Sequence, residues 1–125
     1  MPVGEVLIVD DSSTSRMIIR RCIEMAGVEV GSFRFAENGL DALATLKEQS
    51  GISVIVTDIN MPKMDGQTFI RVLKANPLTA AIPMIVVSSI ASGDMDAELM
   101  ALGATVVVKK PVSPAKMASA FGGLS

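Results

Sequence analysis

The 125-residue sequence contains no histidine, no tryptophan and no tyrosine, a single cysteine and only four phenylalanines. Without histidine there is no imidazole for acid/base catalysis, no Ser-His-Asp triad and no His-ligated metal. The lone Cys22 rules out an internal disulfide and fits a reducing compartment. Set within a helical pattern, it reads as a small core residue rather than a reactive thiol. No apolar run reaches the ~18 residues of a membrane span, and no basic segment followed by an apolar stretch opens the chain. Charge is sparse as well, with 11 Lys and Arg against 13 Asp and Glu. That balance argues against a nucleic-acid binder and against a disordered acidic tail. The expectation is a cytoplasmic protein that contacts neither membrane nor nucleic acid directly.

What is present is apolar: half of the residues are hydrophobic, in a chain long enough to bury roughly two-thirds of the surface its unfolded form exposes. Residues 1–125 are therefore expected to form one domain around one core. The organising stretch runs from Ile52 to Gly66. A short β-branched run ends abruptly at Asp58, and Pro62 and Gly66 in the following loop prevent the strand from continuing.

The same construction recurs along the chain. Val6 to Val9 form a buried strand that ends in Asp10 and Asp11, and the hydroxyl run Ser12 to Ser15 supplies N-caps for a helix whose core stripe is expected to be Ile18, Ile19, Cys22, Ile23 and Ala26. Arg16, Arg20, Arg21 and Glu24 fall on its wet side. Ser32 to Ala36 alternate as an edge strand does. A second helix turns Leu40, Leu43 and Leu46 inward. After the Asp58 loop, Phe69, Ile70 and Leu73 mark a third helix, which Asn76 and Pro77 terminate. Ile82 to Val87 form a strand ending in Ser88 and Ser89, and Met95, Leu99 and Leu102 space a fourth helix closed by Gly103. Thr105 to Val108 precede Lys109, Lys110 and Pro111, and Ser113 with Pro114 opens a short last helix that runs out in Gly122 and Gly123. Met95, Met100 and Met117 read as adaptable core filler. Five strand-helix units in succession predict an α/β fold, a parallel sheet covered on both faces with right-handed crossovers.

In such a sheet ligands bind beyond the carboxyl ends of the strands. Asp10, Asp11, Asp58, Ser88 and a lysine all stand at those ends. Asp10 and Asp11 alone would pass as helix caps and Asp58 alone as the start of a turn, but acids ending two strands, a hydroxyl a third and a lysine a fourth form a site. Clustered carboxylates repel by roughly 4 kcal/mol per pair at ~4 Å and an effective dielectric of 20, so they call for a counter-charge. A hard divalent cation with oxygen ligands supplies it, most simply Mg²⁺, with Mn²⁺ as a second choice. A carboxylate beside such a cation is a nucleophile toward a phosphoryl group and yields an aspartyl phosphate.

These residues identify a resemblance. Val9-Asp10-Asp11-Ser12, the run Asp58-Ile59-Asn60-Met61-Pro62-Lys63-Met64-Asp65-Gly66, Ser88-Ser89 and Lys110-Pro111 together resemble a response-regulator receiver domain of the stand-alone, CheY-like chemotaxis type, over Val6 to about Phe121. The resemblance implies a flavodoxin-like (βα)5 sheet of strand order 2-1-3-4-5, without an output domain. It implies phosphoryl transfer from a sensor histidine kinase or phosphotransfer protein to Asp58. Asp11, Asp58 and the backbone carbonyl of Asn60 would hold Mg²⁺, with Asp10 acting through water. Ser88 would turn toward the phosphoryl group, Lys110 rather than Lys109 would pair with it, and Lys110-Pro111 would be a cis bond. A downstream protein would read the face of the fourth helix, last strand and last helix, in a chemotaxis, relay or phosphate-sink role, with the chain a monomer or a weak homodimer.

Two rivals fare worse. A Mg²⁺-dependent phosphohydrolase working through an aspartyl phosphate, similar to the haloacid dehalogenase family, needs an acid two residues after the nucleophile, where Asn60 stands and cannot exchange protons. Nucleotide binding lacks a G-x-G-x-x-G or Walker loop after the first strand. The sequence also departs from the family. Val107 occupies the position of an aromatic that turns inward on switching, a swing valine is too small to make, and the last helix is short. Ile90, two positions after Ser88, replaces the usual polar residue and is expected to hinder water attack on an acyl phosphate. Ile90→Glu should therefore speed dephosphorylation of the phosphorylated chain; equal rates for the two proteins would remove Ile90 from the lifetime of the adduct.

Overall fold

The structure, a computed structural model, describes residues 3–48, 51–89 and 93–124. Strands and helices alternate as β1 (Val3–Val9), α1 (Ser13–Met25), β2 (Val30–Ala36), α2 (Gly39–Glu48), β3 (Ile52–Asp58), α3 (Gly66–Ala75), β4 (Met84–Ser88), α4 (Gly93–Leu102), β5 (Val106–Lys109) and α5 (Pro114–Gly122). Every strand pairing is parallel, in the order β2-β1-β3-β4-β5. This is the flavodoxin-like doubly wound sheet that the resemblance implies. The alternating strand Ser32 to Ala36 lies at an edge, within β2.

Period-two alternation along the strands divides the core in two. Val6 and Ile8, Val54 and Val56, and Ile85 and Val87 pack with Ile19, Cys22 and Ile23 of α1 and with Met117, Ala120 and Phe121 of α5. Leu7, Val9, Ile55, Met84 and Val86 pack on the other face with Ala42 of α2, Phe69, Ile70 and Leu73 of α3, and Leu99 of α4. In β3 the alternation slips at the exposed Ser53, since Glu5 pairs with Ile52 but Val6 with Val54. This bulge brings Val54 and Val56 into phase with β1, and Asp58 two residues beyond follows the same alternation.

Three apolar residues sit elsewhere than their spacing suggested. Ile18 is 49% exposed because the inward stripe of α1 centres on Ile19, Cys22 and Ile23, one step round the helix. Leu40 is half exposed while Gly39 and Ala42 are buried, leaving Leu43 and Leu46 to pack against the core. Met100 is exposed, whereas Met117 is buried and Met95 partly so. A helix turns only ~100° per residue, so a pattern fixes the apolar arc better than its rim.

Helix ends follow local chemistry. Ser12 caps α1, its hydroxyl accepting the Ser15 N–H, and Ser113 caps α5 ahead of Pro114. Asp65 caps α3, where the backbone N–H and then the hydroxyl of Thr68 hold its carboxyl below the ordinary range. The Lys110–Pro111 bond is cis. Between Asp58 and α3, the Met64 N–H donates to the Pro62 carbonyl at 2.7 Å around Lys63, whose φ of 68° puts it in the left-handed region. The loop then closes on Gly66, whose N–H donates to the Ile59 carbonyl at 2.9 Å.

A Cβ at Gly66 would stand 2.7 Å from Ile59 Cα and closer still to Ile59 Cδ1. Since backbone is in the way, Gly66→Ala must shift the segment that carries Asp58. It is expected to cost about 1–3 kcal/mol, read as a lower urea midpoint by circular dichroism; an unchanged midpoint would show that the loop yields without strain.

Candidate functional site

The carboxyl ends of the central strands are pinned by ladder hydrogen bonds that continue past the strands themselves. The Asp10 N–H donates to the Ala36 carbonyl at 3.0 Å, the Ile59 N–H to Val87 at 3.3 Å, and the Lys110 N–H to Ser88 at 2.8 Å. Each candidate side chain therefore leaves a backbone fixed to its neighbour. Val9 pairs with Thr57, which sets Asp10 and Asp58 next to one another at the ends of adjacent strands.

Asp10, Asp11 and Asp58 offer carboxylate oxygens that all lie within 4.8 Å of one another. Asp10 and Asp58 are buried at 1% and 5% exposure, and Asp11 is exposed. Each Asp10 oxygen is held: Oδ1 accepts the Ser12 N–H at 2.9 Å and Oδ2 the Ser15 hydroxyl at 2.6 Å. Asp58 Oδ1 accepts the Ile59 N–H at 2.8 Å and, more weakly, the Asn60 N–H at 3.5 Å. Its Oδ2 faces Lys110 Nζ at 3.5 Å. Thr57 Oγ1 donates to the Asp58 carbonyl at 2.9 Å and so braces the main chain at the strand end.

Of the two lysines that follow β5, Lys110 turns into the site and Lys109 turns to α4, where its Nζ meets Asp96 Oδ1 at 2.7 Å. Ser88 is fully buried at the end of β4, between the strands that bring Asp58 and Lys110. Asn60 is exposed beyond Asp58. Val107, at the position of the family's aromatic, is half-buried against the α3 and α4 side of the core. Ile90 lies outside the described residues.

Two contacts were not anticipated from the sequence. Arg16, placed on the wet side of α1, turns its Nη1 back onto the Asp10 carbonyl at 2.7 Å. Ser15, read only as one of a run of capping hydroxyls, bonds the Asp10 carboxylate. The available signal was spacing: Ser15 stands three residues after the cap Ser12, on the helix face that looks back at the strand end.

Among the described residues, Lys110 pairs with Asp58, and no cation pairs with the carboxylate of Asp10 or Asp11. Carboxylate charges no more than 4.8 Å apart repel by at least roughly 3 kcal/mol per pair at an effective dielectric of 20. Oxygen-only donors in this number suit a hard divalent cation such as Mg²⁺, and the group fits one. The Asp58 carboxyl is raised above its ordinary 3.8, first by burial; the Asp10 charge adds to the rise, while Lys110 and the backbone N–H groups of Asn60 and Ile59 oppose it. Among the described residues no helix is long and apolar enough to cross a membrane.

The family pattern described as the response regulator receiver domain matches residues 6–121. The sensor histidine kinase CheAY of Helicobacter pylori is 38% identical over 109 residues, which are 86% of this chain and 13% of that protein. Protein-glutamate methylesterase/protein-glutamine glutaminase 3 of Rhodospirillum rubrum is 40% identical over 111 residues, 86% of this chain and 28% of that protein. The chain thus spans well under half the length of these curated relatives. Among solved structures, the chemotaxis response regulator CheY4 of Vibrio cholerae superposes with a TM-score of 0.84 at 28% identity, over 98% of this chain and 99% of that one.

Because the folded-state pKa of Asp58 lies above the unfolded one, the carboxyl favours the folded state most below about pH 3.8 and loses that advantage as pH rises through the raised value. Asp58→Asn should therefore raise the melting temperature of the metal-free protein at pH 7, with a gain that shrinks toward pH 4. Millimolar Mg²⁺ should raise the wild-type melting temperature by mass action and that of Asp58→Asn less. With no Trp or Tyr, circular dichroism is the measurement; a wild-type protein indifferent to Mg²⁺ would count against the cluster as a cation site.

Proposed function

The chain belongs to the response regulator receiver domain family, and from that premise we propose that it is a phosphorylation switch whose acceptor is Asp58. The observation that carries this reading is the placement of a buried Asp58 within 4.8 Å of Asp10 and Asp11 and within 3.5 Å of Lys110. The family acts as a phosphoryl acceptor rather than as a dedicated enzyme. Asn60 argues the same way, because its amide cannot serve as the acid/base of a phosphohydrolase.

An Asp58 oxygen forms a bond to phosphorus as the P–N bond of a donor phosphohistidine, protonated on its other ring nitrogen, breaks, and neutral imidazole leaves with the electron pair. Oδ1 is tied to the backbone N–H of Ile59 at 2.8 Å, whereas Oδ2 makes the looser 3.5 Å contact with Lys110 and is the oxygen that turns to the donor. Lys110 then exchanges its contact with Oδ2 for a phosphoryl oxygen, and the Ser88 hydroxyl takes another. Asp11, Asp58 and the Asn60 carbonyl, with Asp10 behind them, would hold a divalent cation, which when bound would supply positive charge to offset that on the transferring group. No side chain needs to move a proton, and the catalysis is positioning.

The donor is a sensor histidine kinase or phosphotransfer protein, a reading supported by the relative named as a sensor histidine kinase. A chemotaxis setting is supported by the structural likeness to a chemotaxis response regulator. The phosphorylated state is read by a protein partner at the face of α4, β5 and α5. At that face Val107 stands in for the aromatic, and the Lys109–Asp96 pair ties β5 to α4 beside Lys110.

Incubation with a small acyl phosphate or phosphoramidate, with and without Mg²⁺, tests the reading by intact mass. The expected result is a metal-dependent gain of one phosphate that Asp58→Asn loses. An equal adduct on that variant would place the nucleophile elsewhere.

A further inference from the structure

Asp10 is the most deeply buried carboxylate of the cluster, at 1% exposure, and no cation among the described residues pairs with its carboxylate. Lys110 is committed to Asp58, and Arg16 bonds the Asp10 backbone carbonyl rather than its side chain. The carboxylate is held instead by two neutral donors from the start of α1. The Ser12 N–H fixes Oδ1 at 2.9 Å and the Ser15 hydroxyl fixes Oδ2 at 2.6 Å, the short distance of an O–H bonded to a charged oxygen. Ser12 also takes the Ser15 N–H, at 3.2 Å, so the cap that starts the helix delivers the hydroxyl as well.

We propose that Ser15 is a positioning residue for cation binding: its hydroxyl locks Asp10 Oδ2 so that the acidic cluster is preorganised for a divalent ion before the ion arrives. The inference rests on the cluster being the cation site. Its physical basis is the dependence of metal affinity on the hydrogen-bond partners that orient the groups around the ion, whose loss weakens binding by about 10–100-fold, the lower end applying to Asp10, which stands behind the direct ligands. Ser15 fills this role without adding charge, since a lysine or arginine there would compete with the ion for the same oxygens.

Calorimetric titration with Mg²⁺ alone tests the assignment on the wild type, Ser15→Ala and the isosteric pair Ser15→Thr and Ser15→Val. The alanine and valine variants are expected to bind Mg²⁺ about ten-fold more weakly, and threonine, which restores the hydroxyl, to bind like the wild type. The Mg²⁺ concentration that half-saturates phosphorylation by a small phosphodonor should rise by the same factor in the two variants without a hydroxyl. If Ser15→Ala and Ser15→Val bind Mg²⁺ like the wild type while their metal-free melting temperatures fall, Ser15 serves only the helix and the proposal is overturned. Failure of the wild type itself to bind Mg²⁺ would overturn the cation-site reading and the role of Ser15 with it, an outcome distinct from equal binding by all four proteins.

Discussion

Mutual repulsion of carboxylates, forced together at one edge of a parallel sheet, is the constraint on which the rest of this structure depends. Left to themselves, Asp10, Asp11 and Asp58 would separate, since charges within 4.8 Å of one another repel by at least roughly 3 kcal/mol per pair at an effective dielectric of 20. They stay because they grow from backbone that cannot move independently. Asp10 is hydrogen-bonded to β2, the residue after Asp58 to β4, and Lys110 to the end of β4. The sheet beneath is clamped by two apolar layers in which Val6 to Val9 and Ile55 to Val56 are fully buried. Burial of such side chains contributes about 1.5–3 kcal/mol each, enough in aggregate to hold a few like charges in place.

A site assembled against its own electrostatics is poised to accept positive charge. Lys110 offsets part of the repulsion through Asp58, and the Ile59 N–H and the donors from Ser12 and Ser15 stabilise the oxygens that Lys110 does not reach. Burial of Asp58 pulls in the other direction, keeping its carboxyl above the usual range. The same desolvation that costs stability strengthens every interaction made with an arriving cation. Gly66 serves this arrangement from outside the cluster, because only a residue without Cβ lets α3 begin against the main chain of Ile59.

The β5 side of the site departs from the usual pattern of the family. The aromatic that would swing inward is the half-buried Val107, paired across the ladder with Val86. A valine has no second position to occupy, so its contribution is to packing. β5 is linked to α4 at the edge of the site by the Lys109–Asp96 ion pair at 2.7 Å, half-exposed and adjacent in sequence to the lysine that faces Asp58.

Much of this was legible in the amino-acid order. The five strand-helix units, the edge position of β2, the caps at Ser12 and Ser113, the stop at Gly103 and the polar residues that end the strands are all written in local periodicity and turn chemistry, which depend only on neighbours in sequence. Facing was not. Val106 to Val108 are apolar on both sides of β5, so alternation could not say whether Lys109 or Lys110 enters the site; the strand's register against β4 turned Lys110 to Asp58 and Lys109 to α4. Ile18 and Leu40 lie at the rims of apolar arcs, where a rotation of a few tens of degrees moves a side chain from core to solvent. Ser15 and Arg16 look like helix-start and surface residues until the helix is docked, and only then does their turn of α1 come back over Asp10. The sequence by itself determined which elements form and which chemistry stands at their ends. The tertiary structure alone decided which of those groups meet, because a contact between strand ends depends on register and twist summed across the sheet, and neither is encoded in any single segment.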